Sequence, residues 1–346
     1  MTQPSHIVRA ALIGAITLGL VNVVAARLTT NSNPRQLMRA IEAAPSVDVL
    51  GVGNSLIAAG FDAPAIEETF QAAGQPVRAL NAGLGATGVI EHLALTRLAL
   101  RGRSVRWLVY GYFDHQLRLD VAQHLSELIG NRSMLFYLEP ELTLQYAAFG
   151  PADRLSFQVF RRVPLLRERS TLWARVERVR REAGSVGLPP AAVNQFWRAG
   201  DFAQLEAASP GQFDERNRQA LASKDSLSPP VRALLREARD HGVHVVVVAM
   251  PMHPQHVERF YGLPSWTSFK DATRNAVEAE GAAYVDASTW IPDAASFDDH
   301  LHLSRAGART FSTQLASRLR LEPRTPVSPA VSLPPPPPTG RPDSSR

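Results

Sequence analysis

A chain of 346 residues with 45% hydrophobic and 20% charged residues has the composition of a globular protein that is long enough to bury a sizeable core. It contains no cysteine, which excludes disulfides and thiolate metal sites, and its net charge is +5. The basic excess comes without a zinc finger, a Walker loop or a basic-aromatic RNA motif, so we expect no nucleic acid among its partners and favour anionic lipid or polysaccharide.

The N-terminal segment, residues 1–30, predicts a signal anchor or a signal peptide. Residues 10–26 carry no charge and lie between Arg9 and Arg27. The run is slightly shorter than the ~20 apolar residues of a full span, although flanking arginines can extend it. The small residues just before Arg27 would also satisfy the rule for signal-peptide cleavage. We therefore expect a protein that is anchored in a membrane by this helix and faces the periplasm or the extracellular space, or is secreted.

From residue 47 the apolar pattern alternates between strands and helices. Helices are predicted between the strands and after them, one capped by Asp62 and the last starting after Ser304. This alternation predicts an α/β domain over residues 45–320, with a three-layer parallel sheet of about five strands. Ligands of such sheets bind at the carboxyl ends of the strands. The predicted strands are 47–53, 77–83, 105–113, 243–251 and 282–288.

Two segments lie outside the alternation. Residues 115–230 show no strong strand and predict a mainly helical insertion that caps the sheet edge. Within it, residues 161–181 combine arginines with apolar residues at helical spacing and predict an amphipathic helix. These arginines form either a solvated face or a surface for anionic polymer or lipid headgroups. Residues 322–346 are proline-rich and predict a disordered tail.

A nucleophile and its base are predicted at the ligand-binding edge of the sheet. Ser55 lies in the sequence GNS directly after the first strand. A serine hydroxyl needs a base, which is usually a histidine oriented by a carboxylate. Asp299 and His302, three residues apart in the loop before the last helix, can supply that pair. Because both loops fall at the same edge, we expect a Ser55–His302–Asp299 triad.

These motifs, in this order, resemble the SGNH/GDSL hydrolase superfamily. The sequence GNS matches the family's serine block, NAGLGAT after the second strand its glycine block, and DDHLHLS before the last helix its Asp-x-x-His block. The resemblance covers residues 45–114 and 231–320. It implies a flavodoxin-like sheet and an esterase or acyltransferase that needs no cofactor and no metal ion.

The resemblance also implies roles for individual residues. Ser55 corresponds to the nucleophile, His302 to the base and Asp299 to the carboxylate that orients it. Gly85 matches the glycine that helps to bind the oxyanion, so the backbone N–H groups of Ser55 and Gly85 are expected to form the oxyanion hole.

The third block departs from the family pattern Gly-x-Asn-Asp, in which the asparagine donates to the oxyanion. This chain has GYFD at that place, with Phe113 where the asparagine would stand. Losing one oxyanion donor can lower the rate by a factor of ~10²–10³. Gln116 and Tyr112 are the two side chains that could substitute.

Four further side chains near this edge are candidates for substrate contact or support: Asn54, Asp114, Gln116 and His253. Asp114 is expected to support the Ser55 loop through a hydrogen bond. The run from Asp298 to His302 also contains metal-ligand types, but the triad explains their clustering more economically, so we expect no metal.

The expected function is an esterase or O-acyltransferase that acts on acyl, in the first place acetyl, esters of a cell-envelope or exported polysaccharide. This substrate class follows from the resemblance and the membrane location. Because of Phe113, a non-catalytic SGNH-like scaffold in polysaccharide assembly is an alternative. The anchor and the basic insertion make a lipid-acting lipase a further alternative. Hydrolysis and transfer to a sugar hydroxyl are both open at this point.

Overall fold

The computed structural model describes residues 4–118, 133–169, 171–173, 175–176, 205–223 and 226–320. The strands are β1 (Val49–Gly53), β2 (Ala79–Gly83), β3 (Trp107–Tyr112), β4 (His244–Ala249) and β5 (Ala283–Asp286). The helices are α1 (Pro4–Leu28), α2 (Asn33–Ala43), α3 (Ser55–Gly60), α4 (Ala63–Ala72), α5 (Val89–Leu100), α6 (Pro140–Tyr146), α7 (Pro151–Arg162), α8 (Pro164–Arg167), α9 (Pro210–Ala222), α10 (Pro229–Asp240), α11 (Pro264–Ala279) and α12 (Arg305–Leu319). The predicted tail, 322–346, lies outside the described residues.

The five strands form one parallel sheet in the order β2-β1-β3-β4-β5. Val49 of β1 pairs with Ala79 on one side and with Trp107 on the other, and Trp107 in turn pairs with His244. The strand order reverses between β1 and β3, which is where doubly wound sheets bind their ligands. The predicted α/β fold class is confirmed, and each observed strand lies within its predicted run.

Helices cover both faces of the sheet, which gives three layers. Alternate strand residues point to opposite faces, so Leu50 and Val247 pack under α2, α5 and α10. Val49 and Val248 pack on the other face, under α3, α4 and α12. Both faces are buried, as expected for a parallel sheet made of nearly continuous apolar runs.

Glycines let α3 pack directly on the sheet. A Cβ atom on Gly83 would lie 2.3 Å from the backbone nitrogen of Ala58, and one on Gly111 would lie 2.4 Å from the Ile57 side chain. Because backbone cannot move aside as a flexible side chain can, the Gly83 contact fixes the distance between β2 and α3. The position of Ser55, the first residue of α3, depends on this contact.

We expect Gly83→Ala to lower the free energy of unfolding by at least roughly 1–3 kcal/mol, because the added methyl group pushes α3 off the sheet. Chemical denaturation of the purified chain would measure this change. Gly211→Ala is the matched control, since a Cβ there would meet nothing closer than 3.6 Å. Equal stability of the two variants would contradict the proposed close contact.

The described part of the insertion is mainly helical, as expected. Its helix α7 joins the main core through the ring of Phe157, which stacks on Phe136 with 4.9 Å between centroids. The amphipathic helix predicted over 161–181 is interrupted, because α7 ends at Arg162 and Pro164 cannot continue it. A second helix, α8, begins at Pro164, and helical backbone is present again at 171–173 and 175–176, whereas 170, 174 and 177–181 lie outside the described residues.

The N-terminal helix α1 is long and apolar enough over His6–Leu28 to cross a membrane. At a rise of about 1.5 Å per residue, a helix of this length exceeds the ~30 Å hydrocarbon core of a bilayer. Its large apolar side chains are exposed rather than packed in the core. The helix therefore has the properties of a membrane anchor or a signal sequence.

Candidate active site

Ser55 lies at the turn between β1 and α3, at the carboxyl edge of the sheet. It is the first residue of α3, and its side chain is half-buried. Asn54 caps this helix, with its Oδ1 atom accepting a hydrogen bond from the backbone N–H of Leu56 at 2.9 Å. The cap fixes the backbone on which Ser55 sits.

The glycine loop after β2 lies beside Ser55. A Cβ atom added to Gly85 would be 3.9 Å from the Cβ atom of Ser55. The loop is joined to β1 by a hydrogen bond from the N–H of Leu84 to the carbonyl of Gly53, at 3.1 Å. The structure thus brings together the backbones of the two residues that are expected to form the oxyanion hole.

Asp299 and His302 form a carboxylate–imidazole pair. The Nδ1 atom of His302 lies 2.6 Å from Oδ2 of Asp299. The other carboxylate oxygen, Oδ1, accepts from the backbone N–H groups of Leu301 and His302, both at 2.7 Å. An ionised Asp299 can only accept, so Nδ1 carries the proton and Nε2 is left as a proton acceptor.

The surroundings of Asp299 keep its carboxyl group ionised. Burial, with 4% of the residue exposed, opposes the charge. The hydrogen bonds from the His302 ring and from the two backbone N–H groups outweigh burial and lower the pKa of Asp299 to about 2. The carboxylate is therefore charged at every pH at which His302 could act as a base.

The histidine loop is fixed to the helix that carries Ser55. Leu303 belongs to the same apolar cluster as Ile57 of α3. The hydroxyl of Ser312 in α12 donates to the carbonyl of Gly60 at 3.0 Å and accepts from the N–H of Asp62 at 2.8 Å. These contacts hold the serine and histidine segments, which are distant in sequence, at one end of the sheet.

The suggestion that Tyr112 replaces the missing oxyanion donor is wrong. Its hydroxyl is hydrogen-bonded to that of Tyr284 at 2.7 Å, and only 1% of the residue is exposed. Burial, together with the neighbouring tyrosine, raises the pKa of Tyr112 well above its usual value. Tyr112 points into the core on the face of the sheet opposite α3, whereas Phe113 packs against the cluster that includes Ile57.

Gln116 lies against the residue that precedes the nucleophile. Its Oε1 atom accepts from Nδ2 of Asn54 at 3.2 Å. Because Oδ1 of Asn54 is held by the N–H of Leu56, Asn54 must present its NH₂ group to Gln116. The Nε2 donor of Gln116 then faces away from Asn54 and makes no hydrogen bond within the described part of the chain.

The expectation that Asp114 supports the Ser55 loop is also wrong. Its Oδ1 atom accepts from the hydroxyl of Tyr261 at 2.8 Å and lies 3.2 Å from Nε2 of His256. Burial opposes ionisation of Asp114, but these hydrogen bonds lower its pKa below the usual value. Its backbone has φ of 46°, a left-handed conformation that aspartate tolerates better than most residues.

His253 follows β4 and is almost fully buried. Its Nδ1 atom accepts from the N–H of Gln255 at 3.2 Å, and its ring meets Phe297 edge-on. Burial lowers the pKa of His253, partly offset by the nearby charge of Asp299. The side chain supports the histidine loop and offers little surface to a substrate.

His256 and Tyr261 were not predicted as partners of Asp114. One signal was present: Asp114 follows β3, His256 follows β4, and neighbouring parallel strands bring their carboxyl ends together. Within the described ranges, no group of three or more histidine, cysteine, aspartate or glutamate side chains is arranged to hold a metal ion.

No protein-family model and no curated protein matches this sequence. Several solved structures are similar, among them the following three. TesA is 13% identical, with 79% of this chain and 98% of that chain covered and a TM-score of 0.38. A "putative platelet activating factor" from Streptococcus pneumonia is 11% identical, with 88% and 99% covered and a TM-score of 0.39. A "putative acylhydrolase" from Bacteroides fragilis is 9% identical, with 83% and 97% covered and a TM-score of 0.38.

At these identities and TM-scores the similarities carry no argument about function. The sequence GNS lies at the end of β1, NAGLGAT at the end of β2 and DDHLHLS before α12, and their segments meet at one end of a five-stranded parallel sheet.

Proposed function

We propose that the chain is a membrane-anchored serine esterase or O-acyltransferase of the SGNH type. Its substrates are acyl esters, acetyl esters above all, on a cell-envelope or exported polysaccharide, and it faces the periplasm or the extracellular space. The observation that carries the catalytic part is the Asp299–His302 pair, 2.6 Å apart, on a loop packed against the helix that begins at Ser55. A carboxylate that is fixed by backbone N–H groups and hydrogen-bonded to an imidazole is typical of a serine-activating base.

In the proposed mechanism the Oγ atom of Ser55 attacks the ester carbonyl carbon while Nε2 of His302 takes the hydroxyl proton. Asp299 stays ionised and stabilises the imidazolium. The oxyanion is bound by the N–H groups of Ser55 and Gly85. Collapse of this intermediate breaks the bond to the leaving alcohol, which receives the proton from His302 and leaves an acyl-serine.

The second half-reaction regenerates Ser55. His302 takes a proton from water or from a sugar hydroxyl, and the resulting oxygen nucleophile attacks the acyl-serine. Water gives hydrolysis, and a sugar hydroxyl gives transfer of the acyl group. Access of water to the site decides between the two outcomes.

Gln116 is the proposed third oxyanion donor. Phe113 occupies the place of the family's asparagine and cannot donate a hydrogen bond. The Oε1 atom of Gln116 is held by Asn54, next to the nucleophile, and its Nε2 donor is left available at that edge. The side chain is thus anchored at one end and can donate at the other.

We expect Gln116→Glu to lower kcat by roughly 10²-fold or more, with little change in KM. A glutamate retains the acceptor for Asn54 but replaces the donor with a negative charge that faces the oxyanion. Steady-state hydrolysis of a chromogenic acetyl ester would measure both constants. Gln314→Glu, an exposed change of the same charge on α12, should have no effect. An equal kcat for the two variants would exclude Gln116 as a donor.

The proposed catalytic function is tested by a fluorophosphonate probe, which reacts only with activated serines. The detergent-solubilised full chain is expected to be labelled covalently. A well-folded chain that resists labelling would instead favour the non-catalytic scaffold, for which Phe113 is the motivating residue.

The proposed acyl-group preference needs a separate measurement. In a series of chromogenic esters of increasing acyl-chain length, the acetyl ester should be cleaved fastest. A maximum at long chains would favour a lipase and contradict the polysaccharide ester proposal. Addition of acylated and deacylated polysaccharide, with detection of acetate release or acetyl transfer, would then separate hydrolysis from transfer.

A further inference from the structure

Helix α7 presents apolar side chains on the face that points away from the core. Leu155 and Val159, one turn apart, are 69% and 48% exposed. Arg162 lies on the same stripe and is also exposed, whereas Phe157, on the opposite side of the helix, is fully buried. An amphipathic helix normally turns its large aliphatic residues toward the core. An outward apolar stripe that ends in arginine is typical of a helix in a membrane interface.

The segment after α7 is joined to the apolar helix α1. The N–H of Leu165 donates to Oδ1 of Asn22 at 3.0 Å, and Nδ2 of Asn22 donates to the carbonyl of Leu18 at 2.9 Å. The bond from Leu165 gives a partner to one of the N–H groups that the first turn of a helix leaves unpaired. It also gives a partner to Asn22, a polar side chain within an apolar run. Asn22 lies six residues, or about 9 Å along the helix axis, before Leu28. Leu165 is therefore held at the level of the apolar part of α1.

Ion pairs of a buried carboxylate join the end of α8 to α2. Glu168, whose side chain is fully buried, binds Arg35 of α2 at 2.7 Å and Arg167 at 3.1 Å. The guanidinium of Arg35 also lies 4.1 Å from the ring centre of Tyr137. Thr29, directly after α1, is buried as well. The insertion is thus in direct contact with α1 and α2, and no free linker separates it from the N-terminal helix.

We propose that α7 lies in the headgroup region of the bilayer that α1 spans, with Leu155 and Val159 in the interface and the exposed Arg154 and Arg162 on anionic lipid headgroups. Trp173, in the helical backbone after α8, is also exposed, and tryptophan is enriched at membrane interfaces. The proposal requires that α1 is retained as an anchor, and it does not depend on the catalytic chemistry. Asn22 is the residue that fixes the height of the insertion.

The absence of cysteine allows a direct test, because a single introduced cysteine is the only site for a thiol-reactive fluorophore. The full chain is reconstituted in nanodiscs of phosphatidylcholine and phosphatidylglycerol that contain nitroxide-labelled lipid. We expect a fluorophore at Leu155→Cys to emit at shorter wavelength than in water and to be quenched by a nitroxide near the headgroups. Ser317→Cys, on the exposed side of α12, should give emission as in water and no quenching.

Two further variants make the outcome decisive. Gly14→Cys, where an added Cβ meets nothing within 4 Å, should be quenched by a nitroxide deep in the acyl chains. Asn22→Leu should reduce the quenching at position 155 by at least half while leaving that at position 14 intact. A fluorophore at position 155 that stays in water overturns the proposal. A fluorophore at position 155 that is shielded from water only when anionic polysaccharide is added, and not by the lipid of the nanodisc, also overturns it. So does a fluorophore at position 14 that is not in the bilayer.

Discussion

Replacing Ser55 with alanine is expected to abolish covalent labelling by a fluorophosphonate and to lower ester hydrolysis by roughly 10⁴–10⁶-fold. The hydroxyl is the only atom lost that takes part in the proposed chemistry, and Asn54 still caps α3. Labelling of the full chain, followed by hydrolysis of an acetyl ester, would measure both effects. Some activity above water should remain, because the oxyanion donors and the binding surface are unchanged.

The control for this experiment is Ser317→Ala, which removes an exposed hydroxyl from α12. It should label and turn over like the unaltered chain. If Ser55→Ala also retained labelling, the nucleophile would be another residue. If neither protein were labelled and both were well folded, the scaffold function would be favoured over catalysis.

Replacing Asp299 with asparagine is expected to lower kcat by roughly 10⁴-fold while leaving the loop in place. The two backbone N–H groups that bind Oδ1 require an oxygen there, so the amide nitrogen of the asparagine must occupy the position of Oδ2. That NH₂ group would face Nδ1 of His302 and donate to it. The imidazole would then carry its proton on Nε2 and could not accept one from Ser55.

Asp298→Asn provides the matched control, because this neighbouring side chain is exposed. The same chemical change one residue away should leave kcat and the stability of the protein essentially unaltered. Comparable losses in both variants would indicate a general effect of charge on the loop and would contradict the specific role of Asp299.

Local patterns were sufficient to predict the sheet and the edge of it at which the candidate site residues lie. Each strand is a short apolar run, and parallel strands place their carboxyl ends together whatever their order. This rule alone was enough to place the loops of Ser55 and His302 at one edge. The predicted division of the chain into anchor, domain, insertion and tail follows from composition and stays a prediction.

The partner of Asp114 could be predicted only together with the strand order, which local patterns do not give. Asp114 meets His256 only because β3 and β4 are neighbours, although the whole insertion separates them in sequence. The buried position of Tyr112, in contrast, could have been predicted. Tyr112 shares its side of β3 with Tyr110, and strand residues two apart point to the same face.

The junction between α1 and the insertion limits the distance from α1 at which the rest of the chain can act. A domain on a long flexible linker samples a volume around its anchor, and its effective range grows with the linker. Here the turn after α1 is buried, and Asn22 and Glu168 fasten the insertion to the helices on either side of that turn. If α1 is retained as an anchor, as we propose, the active site stays at a fixed height above the membrane, and only substrate that reaches that height can be turned over.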